Sequence, residues 1–211
     1  MTGLVSPELD QYVRDLVPER PPVLAEMEAY AKEHDVPIVG PAVGTLLEVL
    51  ARSIGATRVF EMGSAIGYST AFFAHAVGRG GQVFYTDGSA ENAERARGYL
   101  GRMELGDRVV IRVGDAVSSL EATTGYFDVI FIDVDKDGYP AALKAAAPRV
   151  RRGGYLLADN VLWSGKVVDA GVRDAATEGI RAFNRTLFSL QEFRSVIVPL
   201  RDGVAIARRE E

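Results

Sequence analysis

The amino-acid sequence predicts an α/β fold: a doubly wound, mostly parallel sheet with helices on both faces and an antiparallel hairpin at its C-terminal end. Three observations predict it. Short runs rich in Val, Ile, Phe and Tyr recur at residues 59–62, 83–86, 109–113, 129–132 and 155–158, with helical patterns between them, the alternation expected of a parallel sheet. The runs are near-continuously apolar, as strands covered on both faces are. Residues 195–209 differ: two alternating runs flank Arg201-Asp202-Gly203, which reads as a tight turn between antiparallel strands.

In chain order, Ser6-Pro7 reads as an N-cap with proline at the first helical position. Two short helical segments follow, interrupted around Pro18 and Pro21-Pro22, so residues 1–36 are expected to form an N-terminal helical cap on a core spanning 37–211. From Val43, the residues Leu46, Leu47, Leu50 and Ile54 recur at helical spacing before Gly55, which predicts a core-facing helix ended by that glycine. Ser89 is a side-chain cap for a helix running to about Met103.

A chain of 211 residues with 47 % hydrophobic content supports one well-buried core, so a single domain over 1–211 is expected. The net charge of −5 provides no basic field for nucleic acid or an anionic membrane surface, and neither is an expected partner. No apolar run is long enough to span a bilayer, and the opening residues lack the basic-then-apolar layout of a signal peptide. The absence of cysteine excludes disulfides, thiolate nucleophiles and Cys-based zinc sites, and fits a cytoplasmic location. The two histidines, His34 and His75, are far apart and lack ligand spacing, which makes them structural or exposed residues.

In such a sheet a ligand sits beyond the carboxyl ends of the strands. One acid stands there after each of the five runs: Glu61, Asp87, Asp115, Asp133 and Asp159. Capping of the following helices explains some of them, but the whole row suits a cationic or hydroxyl-rich ligand. Glu61-Met62-Gly63-Ser64-Ala65-Ile66-Gly67-Tyr68-Ser69 follows the first run and opens a helix, its glycines permitting close approach by a ligand. The G-x-G-x-x-G spacing of a dinucleotide site is missing, because Ala65 replaces the second glycine and Tyr68 the third. An acid before the first glycine also suits a positive group better than a pyrophosphate. S-adenosylmethionine, with an amino group, a sulfonium and no phosphate, answers that description. Asp87, ending the second run, is placed to accept ribose hydroxyls, and Gly114-Asp115-Ala116 ends the third, where adenine would lie.

Phe131-Ile132-Asp133-Val134-Asp135-Lys136-Asp137 crowds three carboxylates together, and Ala158-Asp159-Asn160 adds another carboxylate and an amide after the next run. These anions repel one another unless something positive lies among them, and Lys136 offsets one charge only. A hard divalent cation bound by Asp133, Asp159 and Asn160 would satisfy the set; Mg²⁺, Mn²⁺ and Ca²⁺ all match the ligand type, with Mg²⁺ preferred. The alternative is a solvated acidic loop paired with Lys136.

These motifs, with Ala158-Asp159-Asn160-Val161-Leu162-Trp163-Ser164-Gly165 and the closing Val198-Pro199-Leu200-Arg201-Asp202-Gly203, resemble the metal-dependent class I O-methyltransferases that include catechol and caffeoyl-coenzyme A O-methyltransferases. The resemblance runs from about Pro37 to the C-terminus. It implies a Rossmann-like core, metal ligation by Asp133, Asp159 and Asn160, and Lys136 as catalytic base. It also implies S-adenosylmethionine contacts from Val39, Glu61, Gly63, Ser69, Asp87, Ala116 and Asp133. The implied acceptor is a hydroxylated aromatic small molecule, catechol-like or phenylpropanoid-like, and the implied assembly a homodimer. Val134 stands where alanine is common, Gly88 where proline is usual and Gly138 where asparagine is frequent; the last bears on the loop carrying Lys136, and none removes a ligand.

The implied mechanism is physically coherent. A phenol with a pKa of about 10 is a poor nucleophile at neutral pH, and a divalent cation favours its anion while Lys136 takes the proton. Trp163 reads equally as a wall of the substrate pocket and as packing; Tyr68 and Tyr139 read as packing. Two rivals remain: a nicotinamide-dependent oxidoreductase on a similar sheet, against which the missing glycines count, and a cofactor-binding protein without chemistry, against which Asp133, Lys136, Asp159 and Asn160 count.

Overall fold

The computed structural model describes residues 6–211, so the first five residues of the expected cap lie outside it. Seven strands, β1 (Arg58–Met62), β2 (Gln82–Asp87), β3 (Val109–Val113), β4 (Phe127–Ile132), β5 (Val150–Ala158), β6 (Phe193–Val198) and β7 (Val204–Arg209), form one sheet in the order β3-β2-β1-β4-β5-β7-β6. The first five are parallel, and β7 lies antiparallel between β5 and β6, which is the expected sheet with its closing hairpin. The helices are α1 (Pro7–Asp15), α2 (Pro22–Glu33), α3 (Gly40–Ser53), α4 (Tyr68–Val77), α5 (Ala90–Arg102), α6 (Ala116–Glu121), α7 (Tyr139–Ala146) and α8 (Ala175–Ser189).

Side-chain alternation along the strands supplies two cores, one on each face. Val59, Val83, Val129 and Leu157 pack with Met27, Leu47, Phe73 and Leu100 from α2–α5. Phe60, Phe84, Ile130 and Leu156 pack on the other face with Leu120, Leu143 and Phe183 from α6–α8. Each such fully buried side chain contributes about 1.5–3 kcal/mol. The helix ends follow local chemistry: Ser6 Oγ accepts from Leu9 N at 3.3 Å and Ser89 Oγ from Asn92 N at 3.2 Å. After α3, Gly55 takes φ +59° and Ala56 N–H returns to Ala51 O at 2.9 Å.

Two elements differ from the sequence pattern. Helix α3 starts at Gly40, and its fully buried stripe is Val43, Gly44, Leu47 and Ala51, with Leu46, Leu50 and Ile54 only partly buried. Gly44 lies against the Phe72 ring, where an added Cβ would come within 2.5 Å; close helix packing chose small residues over the larger apolar ones. Strand β5 begins at Val150, well before residue 155, and its register against β4 shifts between Phe127 and Val129. Arg151-Arg152-Gly153-Gly154 has no strand-like pattern, but Gly153 sits at φ +75° and Gly154 faces Asp128 O, 2.6 Å from where its Cβ would be, so a bulge carries the strand through.

The strand order reverses between β1 and β4, and ligands bind in the crevice at such a point. Ladder bonds continue one or two residues past the strands: Ser64 N donates to Thr86 O at 2.9 Å, Asp133 N to Met62 O at 2.8 Å and Asp159 N to Ile132 O at 3.2 Å. The strand-end acids are thereby brought side by side along one edge. Among the described residues, no helix is long and apolar enough to cross a membrane.

Candidate functional site

A cavity of about 1910 Å³ opens over that edge. Of the expected cofactor residues, Gly63, Asp87, Ala116 and Asp133 line it; of the expected chemical residues, Lys136, Asp159, Asn160 and Trp163 do. Val39, Glu61 and Ser69 are buried and are not part of the lining. His34 and His75 are also outside it, His34 beside the Tyr30 ring and His75 at 3.0 Å from Glu48.

At the glycine turn, Gly63 has φ +85°, and a Cβ there would lie 2.3 Å from Asp133 O, so only glycine allows β1 and β4 to converge. The Asp87 carboxylate is held by three donors: Ala65 N at 2.9 Å, Ser89 N at 2.8 Å and Asn92 Nδ2 at 3.1 Å. Asp115 caps α6, accepting from Ser118 N at 2.7 Å, and this backbone bond holds its pKa below the usual carboxylate range; for this acid the capping explanation applies. Glu61 is wholly buried, with Oε2 accepting from Ser64 Oγ at 2.9 Å and from Thr70 Oγ1, while Oε1 has no partner. Burial pushes its pKa up to about 7 despite the hydroxyls of Ser69, Thr70 and Ser64, which favour the anion.

At the other end, Lys136 Nζ donates to Asp133 Oδ1 at 2.7 Å, to Val134 O at 3.2 Å and to Tyr139 Oη at 3.1 Å. Tyr139 packs edge-on against Phe183, as expected of a core residue, but its hydroxyl also donates to Asp159 O at 2.9 Å. It thus joins the lysine to the end of β5. Burial, with the charges of Asp133 and Asp159, raises its phenol far above the ordinary value and keeps it protonated. Gly179 of α8 seats the lysine loop, since a Cβ there would meet Lys136 O at 2.3 Å.

Asp159 is only 2 % exposed, and its Oδ1 has no hydrogen-bond partner. Burial and the neighbouring Asp133 charge push its pKa up to about 7. Asn160 and Trp163 both adopt positive φ, at 54° and 47°. Their loop is held by the hairpin turn through Val161 N to Gly203 O and Leu162 N to Asp202 O, both at 3.0 Å. Trp163 lines the cavity and packs on the second core, with its Nε1 unpartnered. Among the described residues no three His, Asp or Glu side chains converge as a metal cluster. The oxygen set is instead two carboxylates and one amide, and a buried, unpartnered carboxylate oxygen within it fits a hard divalent cation.

The residues missed in sequence are Thr70, the hydroxyl role of Tyr139, and Arg201, whose side chain lines the cavity from the hairpin turn. Arg201 stood in a quoted motif, but nothing local indicated where its side chain goes.

The sheet order, the glycine turn after β1 and the acid ending β2 define the class: a Rossmann-like methyltransferase fold. The profile of the O-methyltransferase family matches residues 16–210, and the chain belongs to that family of S-adenosylmethionine-dependent enzymes that methylate oxygen. It is 31 % identical to a catechol O-methyltransferase of Niastella koreensis over 98 % of this chain and 99 % of that one. It is 29 % identical to caffeoyl-CoA O-methyltransferase 2 of Zea mays, over 98 % of this chain and 84 % of the other. The solved O-methyltransferase of Bacillus cereus in complex with SAH superimposes with a TM-score of 0.87 at 31 % identity, covering 96 % of this chain and 97 % of that one. The match starts well before Pro37, where the motifs alone had placed it, because α2 contributes Leu24, Met27 and Ala31 to the core without any signature residue.

Proposed function

We propose that the chain is a divalent-metal-dependent O-methyltransferase whose acceptor is a hydroxyl of a catechol-like or phenylpropanoid-like small molecule. Asp133, Asp159 and Asn160 hold the cation, Mg²⁺ by preference; Gly63, Asp87, Ala116 and Asp133 hold the methyl donor from the cavity wall, and the buried Val39, Glu61 and Ser69 complete its site from outside the lining. The observation that carries this reading is the buried, unpartnered Oδ1 of Asp159 facing the same cavity as Asp133 and Asn160. The names of the relatives, catechol and caffeoyl-CoA O-methyltransferases, support the acceptor class.

A bound divalent cation supplies positive charge that favours the ionised form of an acceptor hydroxyl. Lys136, tethered at the cavity wall by Asp133, Val134 and Tyr139, is the residue that takes the proton. Its ammonium hydrogens are directed at those three acceptors, so it works as a base only once it has given one up. Asp87 orients the donor through a carboxylate already fixed by three N–H groups. Trp163 closes the acceptor side against water. Most of the rate enhancement then comes from positioning and charge. The same reading takes the acting form as a homodimer, which the molar mass in solution tests.

The test is methyl transfer from labelled S-adenosylmethionine to a panel of catechols, with chelator and with Mg²⁺ restored. Chelator-sensitive transfer that Mg²⁺ rescues is expected. Asp159→Ala and Asn160→Ala are expected to lose the Mg²⁺ stimulation while binding S-adenosylhomocysteine within about threefold of wild type, by the general rule that distant ligand contacts act independently. Full metal-stimulated activity in either variant overturns the metal site.

A further inference from the structure

The cavity contains a cation that the reaction as derived does not use. Arg201 lies in the turn between β6 and β7 at φ +50°, a left-handed conformation that a non-glycine residue adopts at a cost. Its side chain lines the cavity. Nη1 donates to Ile38 O at 2.9 Å, and the side chain passes over Gly40, where an added Cβ would come 3.3 Å from Nη1. A guanidinium has five N–H donors, and this single bond is the one it makes among the described residues. No carboxylate there pairs with it, although the cavity wall is rich in acids, whereas Lys136 is bonded to Asp133.

The turn that carries Arg201 is rigid. Val161 and Leu162 donate to Gly203 O and Asp202 O, and Asp202 Oδ1 also accepts from Ser164 N. The turn is therefore fixed against the Trp163 loop, and the guanidinium reaches from it to residues 38–40. A strained backbone, a glycine that makes room for the side chain and a set of unused donors facing a ligand cavity are the marks of a built anion contact. The planar fork matches a carboxylate or a phosphate, and of these the methyl donor carries a carboxylate and no phosphate.

We propose that Arg201 is a carboxylate-binding residue of this cavity. The carboxylate belongs either to the amino-acid end of the methyl donor or to an aromatic acceptor bearing an acid group; the second source rests on the acceptor class proposed above, the first does not.

Calorimetry on Arg201→Gly separates the two sources, and glycine suits the left-handed turn, so the fold is expected to survive. Arg201→Gln, neutral and of similar length, is the second variant. S-adenosylhomocysteine is compared with its decarboxylated analogue, and 3,4-dihydroxybenzoate with 3,4-dihydroxybenzamide in the presence of S-adenosylhomocysteine and Mg²⁺. A fall of about tenfold to a hundredfold in the preference for the acid-bearing member of the first pair assigns the donor carboxylate; the same fall in the second pair assigns the acceptor carboxylate. Arg201→Lys is expected to retain part of either preference. Preferences within threefold of wild type in both pairs, for both neutral variants, overturn the proposal. The readings are of binding, so they stand even if no catechol is methylated, which would count against the proposed acceptor reaction alone.

Discussion

Glu61→Gln isolates the energetic consequence of a wholly buried carboxyl. In the folded chain burial raises the Glu61 pKa to about 7, against 4.5 for the free side chain. The folded state therefore retains this proton at pH values where the unfolded chain has released it. As pH rises through the interval from 4.5 to about 7 the unfolded state is favoured, and stability falls; above it both states are ionised and the loss is complete. Glutamine keeps the shape and an oxygen for Ser64 and Thr70 but never ionises. Between pH 5 and pH 8 the stability of the variant is thus expected to gain about 2–3 kcal/mol on wild type, or about 4–12 °C in melting temperature for a chain of this size. Thermal unfolding of the ligand-free proteins across that range measures it, and the comparison cancels every other titrating group. A gap that does not change with pH would refute the reasoning, because it would mean that Glu61 is equally ionised in both states.

Three further outcomes are expected. Lys136→Ala should lower turnover more than it weakens S-adenosylhomocysteine binding; an unchanged rate would reduce Lys136 to a structural ion pair. Gly179→Ala places a Cβ 2.3 Å from Lys136 O and 2.8 Å from Asp137 Cα, and the displaced loop should cost about tenfold to a hundredfold in kcat with the far-ultraviolet circular dichroism unchanged; wild-type kcat would show that the loop position is not critical. Asp128, at the opposite end of the sheet from the cavity, accepts from Thr57 N and Arg58 N at 2.8 Å and pairs with Arg151. Burial raises its pKa, but Arg151 and the two amides outweigh it and hold the value below 3.8, so its contribution is present at neutral pH and lost as pH falls below that region. Asp128→Ala should destabilise the protein by about 2–4 kcal/mol in urea unfolding at pH 7, with KM unaffected; a change under about 0.5 kcal/mol would contradict this account.

Much of the site's chemistry was legible because it is written at strand ends. Asp87, Asp133 and Asp159 each follow an apolar run, and a parallel sheet places the ends of its strands along one edge, so linear position translated directly into spatial neighbourhood. Helix capping was expected for some of the five acids, but that Asp115 is one of them depends on where Ser118 N points. Glu61 was legible as a charged residue before a glycine turn, yet its unpartnered oxygen and raised pKa come from burial by the surrounding elements. Small residues were the least legible. Gly44, Gly154 and Gly179 carry no pattern of their own, and each is required by the close approach of a ring or backbone segment that lies far along the chain.

The sequence by itself determined the α/β class, the succession of strands and helices, the hairpin at the end and the family, because hydrophobic period, capping residues and turn chemistry act over a few neighbouring positions. Only the tertiary structure decided that the Tyr139 hydroxyl joins Lys136 to the carbonyl of Asp159, 20 residues away in sequence, and that Arg201 reaches Ile38 across 163 residues to stand over the cavity. The direction of a long polar side chain depends on which donors and acceptors the fold brings within about 3 Å of it, and these are contributed by elements that share no local pattern with the residue itself.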